Sequence, residues 1–242
     1  MLTTLNQIDV LILCGGLGTR FRQVSDSIPK GLAPVGGKPL IELQIDALVA
    51  NGARRIILCV GHLSDQIMTY FKDRQDVEIE FSEEKTPLGT GGALKNASRL
   101  IRTDLIVAMN GDSLCTVDYP SFVQQHREKK GYLSIVVSPS ENTADYGTIE
   151  LNTKNRILSF EEKTVKNTDQ PAMVNAGVYL MEKTALSDMK GKYPISIERD
   201  FFPKIVKTKP CFAFPIPSMV QDIGTPERYR KINQLHTSSE DE

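Results

Sequence analysis

The chain of 242 residues is long enough to bury a sizeable core in one domain, and its 40% apolar content is that of a folded rather than a disordered protein. Lysine and arginine number 29 against 30 acidic residues, a net charge of -1, so there is no electrostatic reason to expect a nucleic acid or an anionic membrane as partner. No stretch approaches the roughly 20 apolar residues that cross a bilayer. The start "MLTTLNQIDVLILCGG" lacks a basic segment and is interrupted by Asp9, so a cytoplasmic protein is expected.

In chain order, "IDVLILC" is a β-branched apolar run stopped by Gly15-Gly16, a strand buried on both faces. "LIELQIDALVANG" follows as a helix closed by Gly52, and "RRIILCVG" as a second buried strand. Ser64 is expected to cap the helix "DQIMTYFKD", with Ile67, Tyr70 and Phe71 on one face, before the strand-like "VEIEFS". "ASRLIRTDLIVAMNGD" adds a helix and a strand that breaks at Gly111-Asp112, which extends a β-α-β pattern; ligands in such sheets bind beyond the carboxyl ends of strands. From Tyr132 onward, "YLSIVVS", "GTIEL", "RILSFEEK" and "VNAGVYLM" are strands joined by short turns, an antiparallel or mixed second half. "ISIERDFFPKIV" and "TPERYRKINQL" read as helices around the strand "CFAFPI", and residues 236–242 as a frayed tail. The fold class is α/β, a Rossmann-like mixed, mostly parallel sheet flanked by helices, in a single domain over 1–235. Cys14, Cys59, Cys115 and Cys211 lie far apart without a zinc-ligand pattern and read as reduced thiols.

The stretch "LCGGLGTRFRQVSDSIPKGLAP" has the glycines of a phosphate loop. The dinucleotide fingerprint fails because Phe21 stands where its third glycine is required, and the P-loop pattern around Gly37-Lys38 lacks its first glycine and its hydroxyl residue. What remains is a strand ending in Gly15-Gly16-Leu17-Gly18, free to turn amides toward an anion, with Arg20 and Lys30 supplying charge. A tight turn with solvated cations is the plainer alternative.

With its Pro29-Lys30 pair, this stretch resembles the signature of the sugar-1-phosphate nucleotidyltransferases, G-G-x-G-T-R followed by Pro-Lys. "EEKTPLGTGGAL", "NGDSL", "YGTIEL", "SFEEK", "VNAGVYL" and "QDIGTPERY" occur in the family's order and carry the resemblance over roughly residues 10 to 232. The resemblance implies the nucleotide-diphospho-sugar transferase fold, with a nucleotide-binding half over about 9–130 and a smaller, β-rich sugar-phosphate-binding half over about 131–235. It implies a reaction in which a sugar 1-phosphate attacks the α-phosphorus of a nucleoside triphosphate and pyrophosphate leaves. Mg²⁺ would be held by Asp112 and Asp222, hard carboxylates that leave sites for water and phosphate. The resemblance places Leu13, Gly15, Gly16, Gly18, Thr19, Arg20, Lys30, Glu84, Gly89 and Thr90 at the nucleotide. Gly147, Glu162, Lys163, Asn175 and Gly177 fall at the sugar phosphate. Arg20, Lys30, Asp112 and Lys163 form the catalytic set; Thr164 stands where many relatives have proline after that lysine.

Glu84 occupies the position where relatives read the base. A carboxylate only accepts hydrogen bonds, and guanine offers two adjacent donors, whereas uracil offers one donor between two acceptors. A site built on such pairing discriminates by roughly 10⁴-fold. GTP is therefore the expected nucleotide, although some short uridylyl relatives carry an acid near this position. Among guanylyl relatives the motifs resemble most the D-glycero-α-D-manno-heptose 1-phosphate enzymes that feed surface-glycan assembly, with mannose 1-phosphate the next candidate. A non-catalytic sugar-nucleotide sensor on the same fold is the alternative of another class. A homo-oligomer is neither required nor excluded by the sequence.

Overall fold

The structure, a computed structural model, describes residues 5–18, 21, 25, 27–140, 143–162 and 172–237. In chain order its elements are β1 (Asp9–Leu13), β2 (Pro34–Val35), β3 (Lys38–Pro39), α1 (Leu40–Ala50), β4 (Arg55–Val60), α2 (Ser64–Phe71), β5 (Glu78–Glu83) and α3 (Gly89–Ala97). There follow β6 (Leu105–Asn110), β7 (Ser113–Leu114), α4 (Tyr119–Glu128), β8 (Leu133–Ser140), β9 (Thr148–Leu151), β10 (Ile157–Glu161) and β11 (Ala172–Glu182). The last are α5 (Ala185–Asp188), a π-helical turn (Ile197–Phe201) running into α6 (Phe202–Thr208), β12 (Cys211–Pro215), β13 (Gln221–Asp222) and α7 (Pro226–Thr237).

One nine-stranded mixed sheet organises the chain, in the order β10-β9-β11-β6-β1-β4-β5, with β8 also on β11 and β12 on β8. The strands β6, β1, β4 and β5 are mutually parallel, and β11 is antiparallel to β6, β8 and β9. Because side chains alternate across a strand, the apolar run of β1 sends Leu11 into one core and Val10 and Ile12 into the other. The first core is roofed by α3, α5 and the Ile197–Thr208 segment, the second by α1, α2 and α4. This two-sided burial is why β1, β4 and β6 read as continuous hydrophobic runs.

A third, smaller core gathers Phe21, Ala33, Val35, Leu40, Ile223 and Ile232. Phe21, the residue that breaks the dinucleotide fingerprint, is buried there edge-on to Tyr229, ring centroids 5.5 Å apart. Tyr229 donates to the Pro34 carbonyl at 2.8 Å, and Asn233 accepts from the Gly36 amide at 3.0 Å. These contacts fasten α7 onto the β2–β3 turn.

Four expectations need correction. Ser64 does not cap α2 from outside: it is the first helical residue, preceded by Leu63 in the left-handed region at φ 56°, and its hydroxyl donates to Glu83 at 2.9 Å. Tyr70 is exposed rather than buried with Ile67 and Phe71, because its hydroxyl donates to Glu42 on α1 at 2.7 Å. The helix expected around "ASRLIR" lies earlier, over Gly89–Ala97, and only a 3₁₀ turn occupies Ser98–Leu100. Finally, α7 runs through Thr237, so His236 belongs to the helix and its ring Nε2 lies 3.2 Å from Gln221 Oε1.

His126 is buried on α4 with Nδ1 2.8 Å from the Ser134 hydroxyl. Burial and the nearby Arg127 push its pKa down to about 4. Since the unfolded chain then takes up the proton first, stability declines as pH falls from the ordinary histidine range toward about 4, by at most ~3 kcal/mol. Urea midpoints across that window should show the decline, and His126→Gln should flatten it.

Candidate active site

The carboxyl ends of the parallel strands open into a cleft with two arms. One arm, a cavity of about 560 Å³, is lined by the β1 exit loop (Leu13, Gly15, Gly16, Leu17, Gly18), by Glu84 beyond β5, and by Pro87, Gly89, Thr90 and Ala93 around the start of α3. The other, about 180 Å³, is lined by Asp145, Tyr146, Gly147, Glu162, Asn175, Gly177, Asp222 and Arg228 among others. Asn110, Asp112 and Glu198 line both, so the arms meet at the end of β6.

Asp112 is aimed there by a corner with little freedom. The Gly111 amide donates to the Leu13 carbonyl at 2.9 Å, and the Gln44 amide nitrogen donates to the carbonyls of Asn110 at 2.8 Å and Ser113 at 2.7 Å. Lys30 reaches the Asp112 carboxylate at 2.6 Å; its side chain is 16% exposed against 43% for Asp112, so the lysine is the more enclosed partner. Asp222 arrives from the far end of the sequence through the two-stranded ribbon of β7 and β13, in which it stands opposite Ser113, and the Ile223 amide donates to the Asp112 carbonyl at 3.0 Å.

The residues expected at the sugar phosphate depend on an interruption in β11. That strand pairs with β6 from Val178 onward and with β9 at Val174, and its register against β8 shifts between Asn175 and Tyr179. A bulge of this kind re-aims side chains. Gly177 sits in it at φ 78°, and a Cβ there would lie 2.9 Å from the Asn110 side-chain nitrogen, so only glycine fits. Asn175 accepts from the Gly177 amide and donates to the Tyr179 hydroxyl, both at 2.9 Å, while its own amide donates to the Gly147 carbonyl at 2.8 Å.

The start of α3 is docked rather than open. Gly91 donates to the Ile195 carbonyl at 2.8 Å, Ile197 donates to the Thr90 hydroxyl oxygen at 2.9 Å, and that hydroxyl donates to Glu198 at 2.9 Å. Thr90 thus holds Glu198, which belongs to the π-helical turn, at the junction of the arms. Sequence reasoning did not single out Glu198, Asp145, Tyr146 or Arg228. A π-turn is the local signal that marks the first; Tyr146 opens "YGTIEL", Asp145 directly precedes it, and Arg228 lies in "TPERY".

Electrostatically the cleft is crowded with acid. Five carboxylates (Asp112, Asp145, Glu162, Glu198, Asp222) line the smaller arm, against one cation, Arg228, among the described residues that line it. Burial alone would raise the Asp222 carboxyl, but the Tyr146 hydroxyl, the Gly224 amide and Arg228 outweigh it and hold the group below the usual carboxylate range. Burial raises the Glu84 carboxyl instead, and the Leu88 amide, 3.2 Å away, offsets only part of that. No cluster of three or more histidine, cysteine or acidic side chains suited to a metal occurs among the described residues. Two hard carboxylates in an acid-rich cleft fit a divalent ion that keeps water and phosphate oxygens as further ligands. Thr19, Arg20 and Lys163 lie outside the described residues. No helix among the described residues is long and apolar enough to cross a membrane.

An α/β sheet with a two-armed cleft and a carboxylate corner at its switch point defines a class of nucleotide-using transferases. The chain belongs to the nucleotidyl transferase family, whose model matches residues 9–239. Members of this family generally use a divalent metal. The chain is 33% identical over 225 residues to the D-glycero-alpha-D-manno-heptose 1-phosphate guanylyltransferase of Aneurinibacillus thermoaerophilus, covering 93% of this chain and 96% of that one. It is 32% identical to the mannose-1-phosphate guanyltransferase of Aspergillus oryzae over 95% of its own length and 64% of that relative's. The crystal structure of HddC from Yersinia pseudotuberculosis complexed with GMP-PN superposes with a TM-score of 0.81 at 33% identity, covering 94% of this chain and 99% of that one.

Proposed function

We propose that this protein is a cytoplasmic guanylyltransferase that transfers GMP from GTP to a sugar 1-phosphate of the D-glycero-α-D-manno-heptose type and releases pyrophosphate. The observation that carries the reading is the meeting of the two arms at Asp112, with Lys30 bound to it and Asp222 delivered beside it. The relatives named for a heptose 1-phosphate support the sugar, and the mannose 1-phosphate relatives support the second candidate.

The larger arm would take GTP. Leu13 and the Gly15–Gly18 loop would lie along ribose and phosphates, and Glu84 would accept from the base. Thr19, Arg20 and Lys30 would complete the triphosphate clamp. In the smaller arm, Gly147, Asn175 and Gly177 would shape the sugar wall, Glu162 would accept from sugar hydroxyls, and Lys163 would grip the phosphate.

The nucleophile is an oxygen of the sugar phosphate, already anionic, so no side chain need remove a proton. A P–O bond forms at the α-phosphorus as the bond to the β-phosphate breaks, and the pair of electrons leaves with pyrophosphate. The protein's work is to align two polyanions and to stabilise the charge that develops, largely by positioning and electrostatics. Mg²⁺, held by Asp112 and Asp222, would supply Lewis-acid neutralisation of phosphate oxygens when bound. Lys30 shares the Asp112 carboxylate at 2.6 Å, which would keep its ammonium beside the reacting phosphates.

Pyrophosphate release measured for each of four nucleoside triphosphates with a panel of sugar 1-phosphates tests the assignment. Turnover should be greatest with GTP and the heptose phosphate; nucleotide-sugar binding without any release would point to a sensor. Asp112→Asn should lower kcat by ~10³-fold or more with an unchanged circular dichroism spectrum. Because burial raises the Glu84 carboxyl, GTP affinity should weaken as pH falls, beginning above the ordinary glutamate range. Glu84→Gln should abolish that pH dependence and lower the preference for GTP over UTP, read from kcat/KM.

A further inference from the structure

Arg228 does more than neutralise a carboxylate. Its Nη1 reaches both oxygens of Asp222, at 3.0 and 3.1 Å, while Nη2 pairs with Asp145. Its guanidinium carbon lies 5.4 Å from the centroid of the Tyr146 ring, and the Tyr146 hydroxyl donates back to Asp222. Three separate pieces of chain are thereby joined: the first turn of α7, the ribbon strand β13, and the turn that leads into β9.

Each piece carries something the reaction needs. Asp222 is the second metal-side carboxylate. Tyr146 precedes Gly147, whose carbonyl accepts from the Asn175 amide at 2.8 Å, so the position of Tyr146 is transmitted to two residues of the sugar wall. The arginine comes from a first turn that is itself fixed, since the Arg228 amide donates to the Thr225 hydroxyl at 3.3 Å and the next residue, Tyr229, is anchored to Pro34 at 2.8 Å. With Arg228 25% exposed and Asp222 12%, this pairing is shielded from water and can hold a geometry that a surface ion pair would not. A lysine could not replace it, because a point charge cannot fork between two carboxylates and stack on a ring.

We propose that Arg228 is a positioning residue for nucleotidyl transfer, setting the Asp222 carboxylate and the sugar wall at Tyr146–Gly147 in one rigid unit. The proposal rests on the function given above. In it, metal capture and sugar-phosphate binding are coupled through one side chain that does not touch the α-phosphorus under attack.

The test uses the full chain with Arg228→Met and Asp145→Asn, folding being checked by thermal melting. Mn²⁺ binding to the protein alone is read by electron paramagnetic resonance, and KM and kcat are read for each substrate. Arg228→Met should weaken Mn²⁺ binding and raise the sugar-phosphate KM by about 10-fold each, with the GTP KM changed by less than about 2-fold. Asp145→Asn weakens the Arg228 contact to the turn that leads into β9 and leaves the Arg228–Asp222 contacts in place, so it should raise the sugar-phosphate KM and leave Mn²⁺ binding as it was; it also keeps the test valid if Arg228→Met does not fold. Tighter Mn²⁺ binding in Arg228→Met, equal rises in both KM values, or no change in either variant would each overturn the proposal. A wild-type protein that releases no pyrophosphate would instead overturn the functional reading, and the proposal with it.

Discussion

Negative charge gathered in one place is the constraint on which the rest of this site depends. Five carboxylates line an arm of about 180 Å³, and like charges in an enclosed space repel strongly. The protein answers with pairings at fixed points: Lys30 on Asp112, and Arg228 and the Tyr146 hydroxyl on Asp222. These pairings offset part of that repulsion. With five carboxylates and one cation among the described residues that line it, the arm suits a divalent ion, which brings two charges without a side chain to order.

The scaffold follows from where that charge must stand. Parallel strands deliver loops to one edge, which gives the glycine turn after β1 and the corner after β6. The antiparallel strand β11 is then inserted beside β6, and its bulge at Asn175–Gly177 lies where β6 stops and β9 begins. The wall proposed for the sugar is therefore built at a seam in the sheet. In this seam the Gly177 amide turns to the Asn175 side chain and the Asn175 amide to the Gly147 carbonyl, partners that a continuous ladder would not use.

Much of this was legible in the sequence, for identifiable reasons. β1, β4 and β6 are buried on both faces and announce themselves as apolar runs, while Asp112 and Asp222 follow strand-like segments within recognisable motifs. What escaped was decided by tertiary contact. α3 begins in "GTGG", among the weakest helix formers, and is held by the Ile195 carbonyl rather than by propensity. Ser64 has the chemistry of a cap, yet Glu83 on the neighbouring strand takes its hydroxyl. Arg228 looks like an ordinary polar residue on an exposed helix, and only the closure of α7 over the β2–β3 turn brings it to Asp222. Phe21 disqualified a motif in the sequence and, in the fold, anchors the small core that makes this closure hold.

The ribbon of β7 and β13 has a consequence for synthesis at the ribosome. Its two strands, and with them Asp112 and Asp222, are separated by more than a hundred residues of chain. A nascent polypeptide that has emerged as far as β12 already possesses its glycine loop, Glu84 and Asp112, but not Asp222 or the arginine paired with it. In chain order Asp222 and Arg228 are thus among the last of the described residues that line the cleft, and on the proposed reading the metal side is completed only once α7 has docked.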